Sequence, residues 1–302
     1  MRKTQIRNSL LLLLTATIWG TAFVAQSVGM DYVGPFTFKF ARSIIGGLFL
    51  IPCIWLLRKW NVKNEVKVEN DRPLVTKTEI IGGVCCGIAL FAASNFQQIG
   101  IAYTTVGKAG FITALYVVIV PVLGLFFKKK VQRIVRLCVV LSVIGLYLLC
   151  MTEGSLVLAY GDFLVFICAI LFSIHILIID YFSPKGDGVV ISCIQFFVCG
   201  ILSGMVMLFV ENFEVSKLLE ASMPILYAGV LSSGVAYTLQ IVAQKDVNPT
   251  IASLILCLES VVSALAGWVI LNEALTAREL FGCTLMFAAI ILAQVPVPNK
   301  KA

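Results

Sequence analysis

Glu259 is the acidic side chain best placed for chemistry in this sequence. It follows Pro249 by ten residues in an apolar run, which puts it about 15 Å into a bilayer if that run is a membrane helix. An ionisable group at that depth costs about 2.5–3.5 kcal/mol and is a functional-site hypothesis by default. Ala252, Ser263 and Ala266 share its helical face and leave room for a ligand or a neighbouring helix. Glu259 is therefore predicted to bind a substrate ammonium or a proton; the alternative is an acid that only joins helices.

Three cations and one histidine also lie within apolar runs. Arg42, about 10 Å from the nearer end of its run, is predicted to hold a substrate carboxylate, to pair with an acid or to bind a backbone carbonyl. Lys39 is only about 6 Å deep and Lys108 about 5 Å, so Lys39 is expected to extend to the membrane surface and Lys108 to lie at the interface. His175 is interpreted as a packing residue rather than a proton relay.

Polar side chains recur at helical spacing in three further runs. These stripes are Thr15, Trp19, Ala22 and Gln26; Ser94, Gln97 and Gln98; and Ser233, Tyr237, Gln240 and Gln244. Lipid does not solvate such faces, so they point inward. We predict that one central space is lined by Trp19, Gln98, Tyr116, Tyr237, Gln240 and Glu259, and that Arg42 contributes to substrate binding there. Hydrogen bonding between helices alone is the alternative.

The elements that must position these residues are membrane helices, because 60% of the 302 residues are hydrophobic and only 13% are charged. Stretches of about twenty apolar residues, the length needed to cross a bilayer, repeat along the chain. Ten spans are predicted, at 8–28, 34–57, 78–101, 105–127, 133–150, 161–182, 188–210, 222–244, 249–271 and 277–295. The predicted fold class is an all-α integral membrane protein.

The distribution of basic residues predicts the orientation. With the N-terminus in the cytoplasm, 18 of the 23 Lys and Arg fall on the cytoplasmic side and two on the other, and three lie inside spans. Both termini are therefore predicted to be cytoplasmic, in a bacterial plasma membrane. The net charge of +7 is expected to attract anionic lipid headgroups of the bilayer, and no nucleic acid.

Two halves of five spans each, residues 1–150 and 151–302, are predicted to be inverted repeats. A shift of 153 residues places Arg42 on Gln195 and Gly47 on Gly200, and a shift of 144 places Tyr116 on Ser260. An odd number of spans makes the halves antiparallel across the membrane. Inverted halves with a site between them are typical of transporters.

The segments TATIWGTAFV, GPFTFKFAR and LNEALTARELFG, in this order and spacing, resemble the EamA group of the drug/metabolite transporter superfamily. The resemblance covers essentially the whole chain and implies a ten-helix carrier that moves small metabolites, often amino acids, by alternating access. The family's Gly-Glu signature after the ninth helix corresponds to Asn272-Glu273, whereas Lys129 stands at the equivalent place in the first half. The family's proline in the ninth helix is replaced by Ser260.

A secondary carrier for an amino acid or a related zwitterion is the function that these observations favour, with a coupling proton as a further partner. A nucleotide-sugar or phosphate-ester carrier is the alternative within transport. A membrane enzyme is disfavoured because neither HExxH nor GxSxG occurs, and the GxxxxGK[ST] loop of ATP-driven proteins does not occur either. No cofactor or metal is expected, since the ten cysteines form no CxxC pair. No oligomeric state is predicted.

Four local motifs are interpreted as structural. Thr276 and Glu279 fit a capping box, and Asn248-Pro249 fits a helix start. The GxxxG pairs Gly83–Gly87 and Gly200–Gly204 are expected at helix contacts. Pro121 is expected to bend the fourth span.

Overall fold

The computed structural model describes residues 2–63, 73–126, 133–150, 159–244, 247 and 249–294, and within these all regular secondary structure is helical. The α-helices are α1 (Arg2–Gly29), α2 (Pro35–Lys63), α3 (Lys77–Ile101), α4 (Val106–Thr113), α5 (Tyr116–Phe126), α6 (Arg133–Cys150), α7 (Tyr160–Phe182), α8 (Gly188–Val210), α9 (Val215–Glu220), α10 (Ser222–Leu226), α11 (Thr238–Gln244), α12 (Pro249–Leu256), α13 (Leu258–Leu271) and α14 (Ala277–Gln294). A 3-10 turn (Ser183–Lys185) precedes α8, and a π-helix (Tyr227–Tyr237) joins α10 to α11.

Helices long and apolar enough to cross a membrane number seven in the described part of the chain. They correspond to the predicted spans one to four and six to eight. The fifth and tenth predicted spans coincide with the 18-residue helices α6 and α14. The ninth contains the shorter apolar helix α13. The all-helical membrane fold is thus confirmed, while the count of ten crossings stays a prediction.

Two of the predicted spans are interrupted near their middle. The fourth is divided into α4 and α5 by a turn at Ala114 and Leu115, and the ninth into α12 and α13 by a turn at Cys257. The two turns contact each other, since the Cys257 thiol donates to the Ala114 carbonyl oxygen at 3.1 Å. Pro121, where a bend is expected, lies within α5, after the first of these turns. Interrupted helices of this kind leave backbone groups and helix ends at the middle of the bundle.

The eighth predicted span changes its helical period over the π-helix. Eleven residues there bond from i to i+5 before the α-helical pattern resumes at Thr238. The wider turn places Ser232, Ser233 and Tyr237 on one buried side of the helix. Because π-helical segments are rare and concentrate at functional sites, this segment belongs to the candidate site.

Glycines allow the central helices to approach closely. A Cβ added at Gly83 would lie 2.5 Å from the Ile194 side chain of α8, and one at Gly87 would lie 2.6 Å from the Val198 side chain. Gly200 and Gly204 of α8 make similar approaches to side chains of α2. Both GxxxG pairs therefore do lie at helix contacts, with α8 packed between α3 and α2.

Candidate substrate-binding site

A small cavity lies between the helices of both halves of the chain. Its wall contains six of the seven predicted site residues: Trp19, Arg42, Tyr116, Tyr237, Gln240 and Glu259. The cavity volume is about 30 Å³, which holds about two water molecules and is far below the ~300 Å³ of a small-molecule pocket. The structure therefore shows a space smaller than a metabolite at this site.

Glu259 and Tyr116 meet where the two interrupted spans touch. Tyr116 is the first residue of α5 and Glu259 the second of α13, so each follows its turn directly. The Tyr116 hydroxyl donates to Glu259 Oε1 at 2.9 Å, and the glutamate is 3% exposed. The first turn of a helix also favours a carboxylate through its dipole. This hydrogen bond fixes the acidic side chain at the wall of the cavity and leaves further acceptor positions on it.

Arg42 brings a positive charge to the same cavity. Its Nε donates to Ser233 Oγ at 3.2 Å and its Nη2 to Ser232 Oγ at 2.8 Å, and the residue is 2% exposed. Among the described residues no carboxylate lies within ion-pair distance of it. A guanidinium has five N–H donors. Two of them bond to the serine hydroxyls of the π-helix, and the others remain available to a ligand.

Aromatic rings form another side of the cavity. The Trp19 and Tyr237 ring centroids lie 4.5 Å apart, and the Trp19 indole donates to the Ser232 carbonyl oxygen at 3.3 Å. Phe196 packs edge-on against Tyr237 with the centroids 5.5 Å apart. Trp19 and Tyr237 line the cavity and can contact an apolar part of a ligand, while Phe196 supports the Tyr237 ring from behind.

Two polar atoms of the cavity wall have no hydrogen-bond partner in the described structure. One is Gln240 Oε1 and the other is His175 Nδ1, both deeply buried. His175 Nε2 is bonded to Gln195 Oε1 at 3.1 Å. The histidine thus bonds to α8 through one nitrogen, and its ring also lines the cavity, which a lone histidine in a sequence does not indicate.

Gln98 is placed differently from the other predicted residues. It is fully buried, and its amide donates to the Gln26 carbonyl oxygen at 3.2 Å, outside the cavity wall. Its neighbour Gln97 lines the wall and bonds to Thr113 at 3.2 Å. Helical periodicity pointed to both glutamines, but only the packing of α3 shows which one reaches the space.

The expectation for Lys39 was wrong. Its side chain does not extend to the surface but is 1% exposed, because α8 packs closely against α2. Lys108, by contrast, lies near the edge of the bundle with 23% of its side chain exposed, as expected, and pairs with Glu279 at 2.9 Å.

Carboxylates join helices of the two halves at both ends of the bundle. We name the end with the starts of α2 and α4 the outer end and the end with the start of α8 the inner end, after the predicted orientation. At the outer end Glu211 accepts from the Phe36 and Thr37 amides, both at 2.8 Å. At the inner end Glu79 accepts from the Asp187 amide at 2.8 Å. Each carboxylate thus binds the start of a helix in the other half.

A further outer-end contact uses the Asn272-Glu273 motif. Glu273 accepts from the Val106 amide at the start of α4 at 2.9 Å. Asn272 ends α13 with φ 57° and ψ 28°, the left-handed conformation that Gly and Asn adopt most readily. This explains how Asn replaces the Gly of the signature. The capping box of Thr276 and Glu279 at the start of α14 is also confirmed, whereas Asn248 lies outside the described residues.

Comparisons with known proteins agree with this architecture. A model of the EamA-like transporter family matches residues 7–151 and 159–294. An uncharacterized transporter of Archaeoglobus fulgidus is 30% identical over 288 residues, covering 95% of this chain and 85% of that protein. The uncharacterized transporter YoaV of Bacillus subtilis is 22% identical, covering 94% and 95%. A solved crystal structure has the same fold, with a TM-score of 0.67 at 18% identity over 95% of this chain and 96% of that one. This chain therefore belongs to the EamA-like transporter family, and is a membrane transporter of small solutes.

Proposed function

We propose that the protein is a secondary carrier for an amino acid or a related zwitterion. The observation that carries this proposal is that Glu259 and Arg42, a buried acidic and a buried basic side chain, line the same small cavity without pairing with each other. In this proposal Glu259 binds the substrate ammonium and Arg42 its carboxylate. Buried charges require such partners, since an unpaired charge away from water is strongly unfavourable.

The remaining wall residues fit a substrate of this kind. Gln240 Oε1 lacks a donor in the described structure, and a second N–H of the ammonium supplies one. Tyr116 holds the Glu259 carboxylate in place at 2.9 Å, which leaves less side-chain freedom to be lost on binding. Trp19 and Tyr237 then contact the aliphatic part of the substrate.

Transport by alternating access requires that both ends of the bundle open in turn. The small cavity and the carboxylate contacts at both ends fit an intermediate between the two open states. Opening the outer end breaks the contacts of Glu211 and Glu273, while opening the inner end breaks that of Glu79. The hinges are the turns at Ala114–Leu115 and Cys257 in this proposal, because the regular α-helical ladder is replaced there in part by shorter i-to-i−3 bonds.

A proton is the second ligand that Glu259 can take. A carboxylate at this depth is either paired with a cation or neutralised, so proton and substrate ammonium would compete for it. The coupling of substrate movement to a proton gradient follows from this competition.

A second candidate is a carrier for organic anions such as phosphate esters. The observation that favours it is that Arg42 and Lys39 are both buried and that neither has a carboxylate within ion-pair distance among the described residues. Glu259 near the same space disfavours a phosphate dianion, since like charges repel at short range.

Counterflow into proteoliposomes separates these functions. Purified protein is reconstituted with internal unlabelled substrate, and uptake is measured for labelled amino acids, the corresponding amines and acids that lack one charged group, and a sugar phosphate. We expect uptake only of compounds that carry both an ammonium and a carboxylate. Uptake of the sugar phosphate, or of amine and acid analogues as fast as the amino acid, would contradict the proposal.

The proposed orientation places both termini in the cytoplasm of a cell whose plasma membrane holds the protein. Glu214, in an exposed segment at the outer end, gives the test. In a cysteine-free variant, Glu214→Cys should react with a membrane-impermeant maleimide added outside intact cells. Reaction only in inverted vesicles would reverse the orientation.

A further inference from the structure

His175 presents a hydrogen-bond acceptor that the proposed site does not use. Its Nε2 lies 3.1 Å from Gln195 Oε1 of α8. Because a carboxamide oxygen accepts, Nε2 donates, and the other nitrogen of the neutral ring, Nδ1, is an acceptor. Nδ1 is buried and has no partner among the described residues. A buried acceptor without a donor costs free energy, and a ligand that supplies a donor removes this cost.

The position of the ring places this acceptor beside the aromatic wall of the cavity. His175 lines the cavity, and its two nitrogens lie on different edges of the ring, so Nδ1 faces away from Gln195 and α8. The ring packs edge-on against Tyr237, with the centroids 6.2 Å apart. Tyr237 is one of the two rings proposed to contact the aliphatic part of the substrate. A polar group at the end of that aliphatic part would therefore lie next to His175.

His175 lies closer to the inner end of the bundle than the two charged residues of the site. The end of α7 is at the inner end, because a single 3-10 turn joins it to the start of α8. His175 precedes the last residue of α7, Phe182, by seven residues, or about 10 Å. Glu259 is about 15 Å from the inner end, and Arg42 is about 10 Å from the outer end. Along the bundle the order is thus Arg42, Glu259, His175.

An amino acid bound as proposed has one group left for this part of the cavity. Its α-carbon carries the carboxylate, assigned to Arg42, the ammonium, assigned to Glu259, and the side chain. Glu259 is the one acid among the described residues that line the cavity, so a cationic side chain would have no anion of its own there. The donor that suits His175 Nδ1 is therefore neutral, a hydroxyl or a carboxamide.

We propose that His175 Nδ1 accepts a hydrogen bond from the substrate side chain and selects amino acids with a hydroxyl or carboxamide over apolar amino acids of the same shape. This rests on the proposed function, in which Arg42 and Glu259 hold the carboxylate and the ammonium. His175 is a specificity-determining residue of the same site. A site that leaves a buried acceptor unpaired discriminates against a ligand that lacks the donor.

The test compares nearly isosteric substrates in proteoliposomes: L-threonine with L-valine, and L-asparagine with L-leucine. The two pairs place the donor at different distances from the α-carbon. In at least one pair we expect kcat/KM for the polar member to exceed that for the apolar member about tenfold, the factor for one hydrogen bond between neutral groups in a buried site. O-methyl-L-threonine, which keeps the oxygen but loses the donor, should have no such advantage over L-isoleucine.

Variants of α7 show whether His175 causes the preference. His175→Phe keeps a ring against Tyr237 and removes both nitrogens, so the polar and apolar members of each pair should be transported equally well. Ile174→Phe is the matched control, because it places the same ring at a neighbouring position whose side chain is exposed on the outside of the bundle. It should leave the preference unchanged. His175→Leu provides a second variant without an acceptor.

The outcomes separate this inference from the proposed function. Equal transport within both pairs by the wild-type protein, an advantage of O-methyl-L-threonine equal to that of L-threonine, or a preference that persists in His175→Phe overturns the role of His175, while zwitterion transport stands. Failure of all these amino acids to be transported overturns both. The wild-type comparisons decide the question even if neither His175 variant folds.

Discussion

Corresponding faces of the helices α2 and α8 differ in charge: the face on α2 is basic and the face on α8 is uncharged. On α2 the face presents Lys39 and Arg42, and on α8 the positions reached by the shift of 153 residues present Ser192 and Gln195. All four side chains are buried, none more than 2% exposed. The same depth and packing are thus compatible with two cations or with two neutral groups. The charges on α2 are therefore better explained by binding than by folding.

The ends of the same two helices are alike where their centres differ. The start of α2 is bound by Glu211, and the start of α8, through the Asp187 amide, by Glu79. Each glutamate follows or begins a helix of the opposite half. A carboxylate at a helix start satisfies amides that have no partner within the helix. The same kind of contact, a glutamate bound to a helix start, thus occurs at both ends. The centres of the two helices differ, because only α2 carries basic side chains there.

The largest expected effect comes from replacing Glu259, the acid that lines the cavity together with Arg42 of α2. Glu259→Gln keeps the size of the side chain and loses its charge, so transport of the zwitterion should fall about 100-fold, within the 2–5 kcal/mol expected for one partner of a buried charged pair. Initial uptake rates in proteoliposomes measure this effect. Glu214→Gln, at an exposed glutamate, is the control. Wild-type rates and unchanged pH dependence in Glu259→Gln would make this residue a packing acid.

Making α2 resemble α8 should have the next largest effect. Arg42→Gln removes the charge but retains hydrogen-bonding groups for Ser232 and Ser233, so KM should rise about tenfold with a smaller change in kcat, since a hydrogen bond to a charged group contributes about 1.5–3 kcal/mol. Gln195→Ala, the corresponding change on α8, should alter KM much less because no charge is lost. Equal effects of the two variants would remove the functional distinction between the helices.

Replacing the glutamates at the two ends should have smaller effects on access to the cavity. One replacement should raise access from the outer side and the other from the inner side. Glu211→Gln weakens the outer contacts and Glu79→Gln the inner one, each by about 1 kcal/mol, the difference between charged and neutral hydrogen bonds. A cysteine replacing Ala22 in the cavity wall reports access in a cysteine-free variant. Labelling with an impermeant maleimide should rise about fivefold from the outer side in Glu211→Gln and from the inner side in Glu79→Gln. The same direction in both variants would show that these contacts do not control the two ends separately.

The smallest expected effect is on stability, at the contact of α8 with α3. In Gly87→Ala the new Cβ would meet the Val198 Cβ at 2.6 Å and the Gln195 carbonyl oxygen at 2.9 Å. We expect a loss of about 1–3 kcal/mol from overpacking, measured as a lower melting temperature in detergent. Gly107→Ala is the control, because its nearest neighbour would lie at 3.6 Å. A melting temperature as high as that of the control would indicate that α3 and α8 can separate locally.

Properties that depend on composition and helical period could be predicted from the sequence by itself. The membrane class, the buried polar stripes, the capping box at Thr276 and the GxxxG contacts belong to this group, because each follows from the position of residues along one helix. Six of the seven predicted residues line one cavity for the same reason.

Tertiary structure alone decided the features that depend on how helices meet. The turns at Ala114–Leu115 and Cys257 carry no Pro or Gly at the break, so a local pattern does not reveal them. Lys39 was expected near the surface because its depth was measured along α2, whereas its burial depends on the neighbouring helices. Gln98 and Gln97 share a face by period, and the packing of α3 determines which of them reaches the cavity. Periodicity fixes the direction of a side chain relative to its own helix, but what that side chain contacts depends on the other helices.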